Sequence, residues 1–593
     1  MKELKYLNKY LYKYKWQLLL GILFVALSNV FKVLSPRILS WAIDMVSQNI
    51  TLYASFENFE LQETLKSSLK SSLLVFSLIY FAAALIGGVF TFLMRQSIIV
   101  MSRLVEFDLK NEIYKHYQRL DTAFYKRNNT GDLMNRATED VSKIRMYMGP
   151  ALMYLINVFF LFTFVIYTML SINVSLTLWV LLPMPFLTLS IFYVNNLIHK
   201  RSEAIQQQLS VLTSNAQEYY SGIRVLKSYV QEKLALKFYE DASENYKEKA
   251  LSLAHVQAFF FPLMVLLVGL STIIVVIVGG QYIQKGLITP GNIVEFIMYV
   301  NLLTWPVTSI GWAASLIQSA AASQKRINEF LKTDTKIDTT VGAEIELKGN
   351  LSFKGLSFTY PDTGIEALKN LNFEIKAGEK WAVMGRTGCG KTTLAELMLG
   401  MYSPSSGELL IEGHNIEDVK LSKLRQQIGY IPQDVFLFSD TIYNNIRFGN
   451  SELTDEEAES AAKKASIYEE IMEFPEGFST LVGERGVTLS GGQKQRISIA
   501  RALAMQPRLL VFDDALSAVD VHTEKMIIQN LNASIVDKTV IVISHRIFSS
   551  LEFDQIIILE DGGIAEQGTH KELLAKGGIY AEFYEKQNFE QVQ

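Results

Sequence analysis

Long apolar runs dominate the first 320 or so positions of the 593-residue chain. Six of them are long enough to cross a ~30 Å hydrocarbon layer, which takes about 20 helical residues. They lie near 16–43, 73–94, 148–170, 173–194, 255–284 and 292–317. Two, "LLVFSLIYFAAALIGGVFTFLM" and "LINVFFLFTFVIYTML", carry no charge, whereas core helices of soluble proteins keep a polar face. The pattern therefore predicts an all-α transmembrane domain of six helices over residues 1–330.

The pattern changes after residue 330. Residues 331–348, "LKTDTKIDTTVGAEIELK", are polar and predict a linker. From 349 to 593, strand-like and helix-like segments alternate, which is typical of an α/β domain. The chain is therefore predicted to be multidomain, with a six-helix membrane domain followed by an α/β domain.

Lysine and arginine are distributed unevenly around the six spans. Residues 1–15 hold five lysines, and the connections 95–147 and 195–254 hold ten and eight Lys or Arg, whereas the alternate connections hold three between them. By the positive-inside rule, the N-terminus and both long connections are cytoplasmic, and an even number of spans returns the C-terminus to the same side. We expect the long connections to continue the transmembrane helices into the cytoplasm, with turns near 121–130 and 221–229.

Composition narrows the class of protein further. The net charge of −4 gives no indication of a nucleic-acid partner. A single cysteine, Cys389, excludes an intrachain disulfide and fits a reducing compartment. No cleavable signal peptide is predicted, because the first apolar run is too long. The chain is expected in the cytoplasmic (inner) membrane as a multi-pass protein.

The predicted spans contain few ionisable residues. Lys32 and Glu295 are exceptions, and we expect both near the outer ends of their spans, where long side chains reach the interface. Polar residues such as Asn29 and Asn157 would either line a cavity or join helices. An apolar cavity suits amphipathic drugs, lipids or hydrophobic peptides, and the sequence does not choose among them.

A phosphate-binding motif opens the second domain. "GRTGCGKTT" fits G-x-x-x-x-G-K-[ST], follows the apolar strand "WAVM" and precedes the helical run "LAELMLG". Its backbone N–H groups and the helix N-terminus suit phosphate oxygens. Lys391 is predicted to reach the β- and γ-phosphates, and the Thr392 hydroxyl to ligate Mg²⁺. The predicted nucleotide-binding residues of this loop are Gly385, Arg386, Thr387, Gly388, Cys389, Gly390, Lys391, Thr392 and Thr393.

Two further segments suit a nucleotide site. "LLVFDD" is an apolar strand ending in Asp513, which is predicted to hold Mg²⁺, followed by Asp514. "LSGGQKQR" places a serine and two glycines at the start of a helix, which makes a second anion-binding surface. One domain needs only one γ-phosphate site, so we expect this surface to bind nucleotide held by another copy of the domain. Its predicted nucleotide-binding residues are Ser490, Gly491, Gly492 and Gln493.

With these motifs the chain resembles the ATP-binding cassette transporters along essentially its whole length. The resemblance is carried by the phosphate loop, "LSGGQ", "LLVFDDALSAVD", the glutamine of "IPQD" and the histidine of "VISHR", all in the family's order. Six spans followed by one cassette resemble a half-transporter of the exporter type. The resemblance implies ATP and Mg²⁺ as cofactors, and a second half-transporter, the lipid bilayer and a small amphipathic substrate as partners.

The resemblance also implies roles for individual residues. Tyr360 matches the aromatic residue that stacks on adenine, and Gln433 matches the glutamine that touches Mg²⁺ and senses the γ-phosphate. His545 matches the switch histidine, and Asp520 the carboxylate that communicates across the dimer. "VGERG", 482–486, matches the exporter segment that meets the cytoplasmic tips. The implied metal ligands are thus Thr392, Gln433 and Asp513, and the implied catalytic residues are Asp514, His545 and Gln433.

Asp514 departs from the family pattern, which has glutamate there. A general base must lie within about 2.6–3.2 Å of its water. Losing a methylene withdraws the carboxylate by about 1.5 Å, a displacement that can cost around 10²-fold in rate. We therefore expect this chain's own site to bind ATP and Mg²⁺ but to hydrolyse poorly, which resembles the degenerate-site subunit of heterodimeric bacterial exporters.

The predicted function is ATP-driven export of amphipathic or hydrophobic substrates by one half of a dimeric transporter, with heterodimer favoured. A homodimer with two slow sites is the main alternative. A channel or receptor gated by ATP binding is another, although no ring of charged pore residues is present in the sequence. A soluble DNA-repair ATPase shares the ATPase motifs, but the six spans exclude it.

Overall fold

The computed structural model divides the chain into two compact units. The first comprises Met1–Lys115 and Gly131–Thr333, and the second comprises His116–Thr130 and Asp334–Gln593. The tip of the first long connection, His116–Thr130, therefore belongs with the C-terminal unit. The structure describes residues 2–55, 61–335, 337–483, 486, 489–515, 521–547 and 552–592.

The first unit is built from helices. Six continuous helical stretches are long and apolar enough to cross a membrane, and they occupy Lys15–Ile50, Glu63–Arg119, Thr130–Ile172, Val174–Ser221, Glu232–Gln284 and Pro290–Leu331. Most exceed 40 residues, about twice the length that a bilayer requires. The apolar runs of the sequence mark the central parts of these helices. The amphipathic ends, where polar residues return at helical spacing, extend them further.

The helices of the N-terminal half are numbered along the chain. They are α1 (Asn8–Lys13), α2 (Lys15–Ser55), α3 (Leu61–Arg119), α4 (Thr122–Arg127), α5 (Thr130–Asn135), α6 (Val141–Met146), α7 (Leu152–Ile172), α8 (Val174–Leu181), α9 (Pro183–Ser221), α10 (Ile223–Ser228), α11 (Glu232–Gln284) and α12 (Pro290–Leu331). The short helices α4 and α10 occupy the two predicted turns at the cytoplasmic tips.

Polar contacts inside the first unit join its helices. Asn29 of α2 donates to Asn157 of α7 across 2.9 Å, so this pair joins helices. Glu295 of α12 was expected to reach an interface, and that expectation is wrong. Its side chain is 1% exposed and accepts a hydrogen bond of 2.9 Å from the Tyr299 hydroxyl, which also donates to the Val33 carbonyl. A carboxylate buried among apolar helices needs such donors, because it is removed from water.

The second unit contains two sheets. The strands are β1 (Leu351–Thr359), β2 (Glu366–Ile375), β3 (Lys380–Gly385), β4 (Ser406–Ile411), β5 (His414–Asn415), β6 (Ile428–Ile431), β7 (Leu509–Asp513), β8 (Thr539–Ile543), β9 (Gln555–Glu560) and β10 (Gly563–Gly568). A four-stranded antiparallel sheet has the order β2-β1-β4-β5, and a six-stranded sheet has the order β10-β9-β3-β8-β7-β6. The predicted fold class, a helical membrane domain followed by an α/β domain, is confirmed.

Helices cover the larger sheet. They are α13 (Lys391–Met398), α14 (Leu421–Arg425), α15 (Ile442–Ile446), α16 (Asp455–Lys464), α17 (Tyr468–Glu473), α18 (Gly491–Ala504), α19 (Val521–Ser534), α20 (His570–Lys576) and α21 (Ile579–Val592). The central strands β7 and β8 are buried at every residue, as expected for parallel strands covered on both faces.

Parallel pairing brings the predicted motifs to one edge of the sheet. Strands β3, β8, β7 and β6 pair in parallel, so their carboxyl ends meet at the same edge. The phosphate loop follows β3, Asp513 ends β7, His545 follows β8 and Gln433 follows β6. Ligand sites in open parallel sheets form at this edge.

Candidate nucleotide site

A cavity of about 560 Å³ opens at the carboxyl edge of the larger sheet. Its volume is typical of a site for a small molecule or cofactor. Among the predicted site residues, those that line it are Tyr360, Thr387, Gly388, Gly390, Lys391, Thr392, Thr393, Gln433, Asp513, Asp514 and His545. Residues 365–367, Lys369, Asp561 and Gly562 complete the wall, and the sequence reasoning missed them. They come from the smaller sheet and the β9–β10 turn, where no motif marks them.

The phosphate loop is folded around the Lys391 ammonium. Lys391 Nζ donates to the carbonyls of Gly385 and Arg386, each across 2.8 Å. Gly390 has φ +100°, and a Cβ there would lie 2.3 Å from the Ala367 carbonyl oxygen, so only glycine fits. Helix α13 begins at Lys391 and presents its N-terminal N–H groups to the cavity. The loop thus carries one fixed positive charge and a helix N-terminus, which suits phosphate.

Cys389 lies beneath the loop. Its side chain is 7% exposed and packs in the core of the smaller sheet, with Sγ 3.8 Å from Lys391 Nζ. The cavity lining includes its neighbours Gly388 and Gly390 but not Cys389 itself, nor Gly385 or Arg386. Gly385 and Cys389 are buried, whereas Arg386 is exposed.

Asp513 occupies the position predicted for the metal ligand. Thr392 Oγ1 donates to its Oδ1 across 3.1 Å, and the Tyr430 hydroxyl donates to its Oδ2 across 3.3 Å. The residue is 1% exposed, and this burial raises the pKa of the Asp513 carboxyl, while the two hydrogen bonds oppose the shift. A cation bound beside Asp513 would stabilise its charge.

The oxygen donors at this point suit Mg²⁺. The Thr392 hydroxyl and the Asp513 carboxylate are in contact, and Gln433 lines the same cavity. No cluster of three or more His, Cys, Asp or Glu forms in the part of the chain that the structure describes. Mg²⁺ is usually bound by one or two carboxylates, with substrate phosphates and waters as the other ligands. These residues therefore fit a Mg²⁺ ion that arrives with a nucleotide.

Asp514 and His545 form a pair at the same end of the cavity. His545 Nδ1 lies 3.0 Å from Asp514 Oδ1 and 3.2 Å from Oδ2. The Asp514 backbone has φ +49°, a left-handed conformation that aspartate adopts more readily than most residues. Its N–H donates to the Ile543 carbonyl across 2.8 Å, which fixes the backbone against β8. The sequence placed these residues 31 apart, and the parallel β7–β8 pairing brings them together.

Tyr360 also lines the cavity. Its hydroxyl lies 2.8 Å from Thr393 Oγ1 and donates to Glu396 Oε2 across 3.2 Å. Lys126 of α4 bonds the same Glu396 at 3.2 Å, and its Nζ lies 5.1 Å from the Tyr360 ring centroid. Lys126 Nζ also lies 5.1 Å from the centroid of the Tyr402 ring. Lys126 lies in the predicted turn near 121–130, and no sequence motif marks it or Glu396 as part of this site.

The "LSGGQ" residues lie elsewhere in the unit. Ser490 caps α18: Gln493 N–H donates to Ser490 Oγ across 3.2 Å, and Ser490 N–H donates to Gln493 Oε1 across 2.9 Å. Gln493 Nε2 also donates to Glu470 across 3.0 Å. None of Ser490, Gly491, Gly492 and Gln493 is among the residues lining the cavity. The capped helix start is exposed and is not part of this chain's own phosphate site.

Two predicted features lie outside the described residues. They are Asp520, expected to communicate across a dimer, and the central part of "VGERG", Glu484 and Arg485. Both stay predictions.

Comparison with known proteins assigns the family. Residues 18–307 match the family model of the ABC transporter transmembrane region, and residues 368–517 match the family model described as ABC transporter. The chain therefore belongs to the ATP-binding cassette transporter family, with membrane and ATP-binding domains on one polypeptide.

The chain is similar to two bacterial proteins with multidrug-resistance names and to a solved exporter structure. The chain is 36% identical over 488 residues to the probable multidrug resistance ABC transporter ATP-binding/permease protein YheI of Bacillus subtilis, covering 82% of this chain and 83% of that one. It is 35% identical over 486 residues to the multidrug resistance-like ATP-binding protein MdlA of Escherichia coli, covering 82% of each. A bacterial Atm1-family exporter with ATP bound superposes with a TM-score of 0.76 at 25% identity, covering 97% of this chain and 98% of that one.

The resemblance inferred from the motifs is thus confirmed. The chain is a multi-pass membrane protein of the exporter type, its second domain is an ATP-binding ATPase domain, and such transporters work as dimers of two halves.

Proposed function

We propose that this chain is one half of a heterodimeric exporter and that its own phosphate-loop site binds Mg²⁺ and ATP firmly but hydrolyses ATP slowly. The observation that carries this proposal is Asp514, paired with His545 at the end of the cavity where the attacking water must bind. All other predicted groups of that site are present. The site therefore differs from a hydrolysing one by a single methylene.

The backbone at Asp514 offers no way to recover the lost length. Its N–H is bonded to Ile543, and its φ of +49° leaves few neighbouring conformations open. The carboxylate is therefore set back by about 1.5 Å. General-base catalysis contributes about 10²–10⁴-fold, and an error of about 1 Å in position can remove 10²-fold. Slow cleavage follows, whereas ATP binding depends on other residues.

The remaining residues take roles that match their positions. Lys391 contacts the β- and γ-phosphates, and Thr392, Gln433 and Asp513 hold Mg²⁺. His545 contacts the γ-phosphate from the end of β8, where it faces the cavity.

Tyr360, which lines the same cavity, stacks on adenine.

The exposed start of α18 bears on how the two ATP sites of the heterodimer would differ. Ser490, Gly491, Gly492 and Gln493 do not line this chain's own cavity, and the α18 N-terminus suits a phosphate brought by a second cassette. This surface completes the partner's site, where a glutamate would occupy the position of Asp514. One site would then hold ATP while the other turns over.

Export of amphipathic or hydrophobic substrates fits the membrane domain. The relatives carry multidrug names, and the spans are apolar with few ionisable groups. The N- and C-termini are placed in the cytoplasm by the distribution of Lys and Arg. Drugs, lipids and hydrophobic peptides remain the substrate classes to compare.

The experiment is an ATPase assay of the assembled transporter. Replacing the partner's catalytic glutamate with glutamine is expected to abolish turnover, while Asp514→Ala in this chain is expected to leave most of it. The chain purified without a partner should bind ATP and turn it over slowly. Vigorous turnover by the chain alone would support a homodimer and contradict the proposal.

A further inference from the structure

His545 is carried by a short segment, Ser544–Ile547, that follows β8. At its start, the Ser544 N–H donates to the Val383 carbonyl of β3 across 3.1 Å. Within it, the Arg546 N–H donates to Ser544 Oγ across 2.9 Å. The His545 side chain is half exposed, so packing alone does not fix it. The position of its imidazole therefore depends on how firmly both ends of this segment are held.

Gln587 of α21 holds the far end of the segment. The Ile547 N–H donates to Gln587 Oε1 across 2.7 Å, and Gln587 Nε2 donates to the Ile547 carbonyl, also across 2.7 Å. One side-chain amide thus satisfies both backbone groups of Ile547, as a neighbouring strand would. Ile547 lies two residues beyond His545, and Gln587 lies 40 residues beyond Ile547 in the sequence.

Helix α21 is itself firmly anchored. Glu566 of β10 accepts hydrogen bonds from the N–H groups of Ile579 and Tyr580, across 2.7 and 3.1 Å. Tyr580 is fully buried in a cluster that includes Ala382 and Met384 of β3. Since β3 leads directly into the phosphate loop, α21 links the strand that carries that loop to the segment that carries His545.

We propose that Gln587 is a positioning residue for His545. Through Ile547 it holds the Ser544–Ile547 segment so that the imidazole stays beside Asp514 and faces the γ-phosphate. The inference rests on the proposed function in one respect, the role of His545 as a γ-phosphate contact. Gln587 itself lines no part of the nucleotide cavity. It acts on the reaction through the backbone of another residue.

The expected signature is a loss of kcat with little change in KM for ATP. Gln587→Met keeps the length of the side chain but removes both the donor and the acceptor. A displacement of His545 by a fraction of an ångström should lower kcat about tenfold. Lys391, Thr392 and Tyr360 are untouched, so KM should change by less than about twofold.

The test uses the full-length transporter carrying Asp514→Glu in this chain and glutamine in place of the partner's catalytic glutamate, so that the measured turnover comes from this chain's site. Steady-state ATPase is recorded for Gln587→Met, for Gln587→Glu and for the matched control Asn588→Ala, whose side chain is exposed on the same helix. Gln587→Glu can accept from the Ile547 N–H but cannot donate to its carbonyl, so it should fall between the wild type and Gln587→Met. The control should equal the parent in kcat, KM and melting temperature.

A double-mutant cycle with His545 separates positioning from a purely structural effect. Adding Gln587→Met to His545→Ala should change kcat by less than about twofold, because the group that Gln587 positions is already gone. Equal tenfold losses with and without His545, or no loss in either background, would overturn the inference. A large effect of His545→Ala beside a silent Gln587→Met would overturn it while leaving the proposed function intact. If His545→Ala were silent, both would fail.

Discussion

The residues at the carboxyl ends of the neighbouring strands β7 and β8 are held in different ways. At the end of β7, Asp513 is 1% exposed, and both of its carboxylate oxygens accept hydrogen bonds. One residue further on, Asp514 meets His545, whose side chain is half exposed and held through a backbone segment. The groups proposed to bind phosphate and Mg²⁺ are held by direct hydrogen bonds from their own side chains, whereas the groups proposed for the water position depend on more distant contacts. Binding and cleavage can therefore be altered separately.

The largest effect is expected at the phosphate loop, with Lys391→Met. Charged hydrogen bonds contribute about 1.5–3 kcal/mol each, so the loss of contact with the phosphates should weaken ATP binding on the order of 10²-fold. Fluorescent-nucleotide binding measures this, and Lys348→Met, on the exposed surface, is the matched control. Unchanged ATP affinity in Lys391→Met would contradict the assignment of Lys391 to phosphate binding.

The metal position should respond next, with Asp513→Asn. The variant should lose the Mg²⁺ dependence of ATP binding, a decrease of about tenfold or more, because an amide is a poorer ligand for a hard cation than a carboxylate. Nucleotide titrations with and without Mg²⁺ measure it. An unchanged Mg²⁺ dependence would contradict the assignment.

Asp513→Asn should also change the way in which the melting temperature depends on pH. Burial raises the pKa of Asp513 above its unfolded value. In the nucleotide-free protein, the neutral Asp513 carboxyl therefore makes its full contribution to folding stability at pH values below its ordinary pKa. That contribution is lost as the pH rises through the raised pKa of the folded state. In Asp513→Asn, the melting temperature should vary less with pH across that window, and at neutral pH it should not be lower than in the parent protein. A lower melting temperature at neutral pH would mean that the charge is already compensated.

The smallest effect is expected at the adenine end, with Lys126→Met. A cation–π contact contributes about 0.5–1 kcal/mol at exposed sites, so ATP affinity should fall about two- to fivefold. Lys126→Arg should retain most of the affinity, and Arg127→Met, one position along α4, is the control. Equal losses for Lys126→Met and Arg127→Met would indicate a general effect of the tip rather than contact with Tyr360.

Much of this arrangement could be predicted from sequence because it is encoded locally. Six apolar runs specify membrane helices, and the phosphate loop between "WAVM" and "LAELMLG" fixes a strand–loop–helix unit. The contacts made by Lys126, Tyr430 and Gln587 were not predictable in this way. Each joins residues that are more than 35 positions apart, and each depends on side-chain length and direction rather than on periodicity. Glu295 illustrates the same point, because its burial depends on hydrogen bonds donated by the Asn292 amide and the Tyr299 hydroxyl.

The central claim is that Asp514 limits cleavage and not binding, and Asp514→Glu tests it most directly. Single-turnover hydrolysis and ATP affinity would be measured on the full-length transporter with and without the substitution. The longer carboxylate should raise the cleavage rate at this site by about 10–10²-fold and leave the ATP Kd within about twofold. A cleavage rate unchanged by the added methylene would contradict the account.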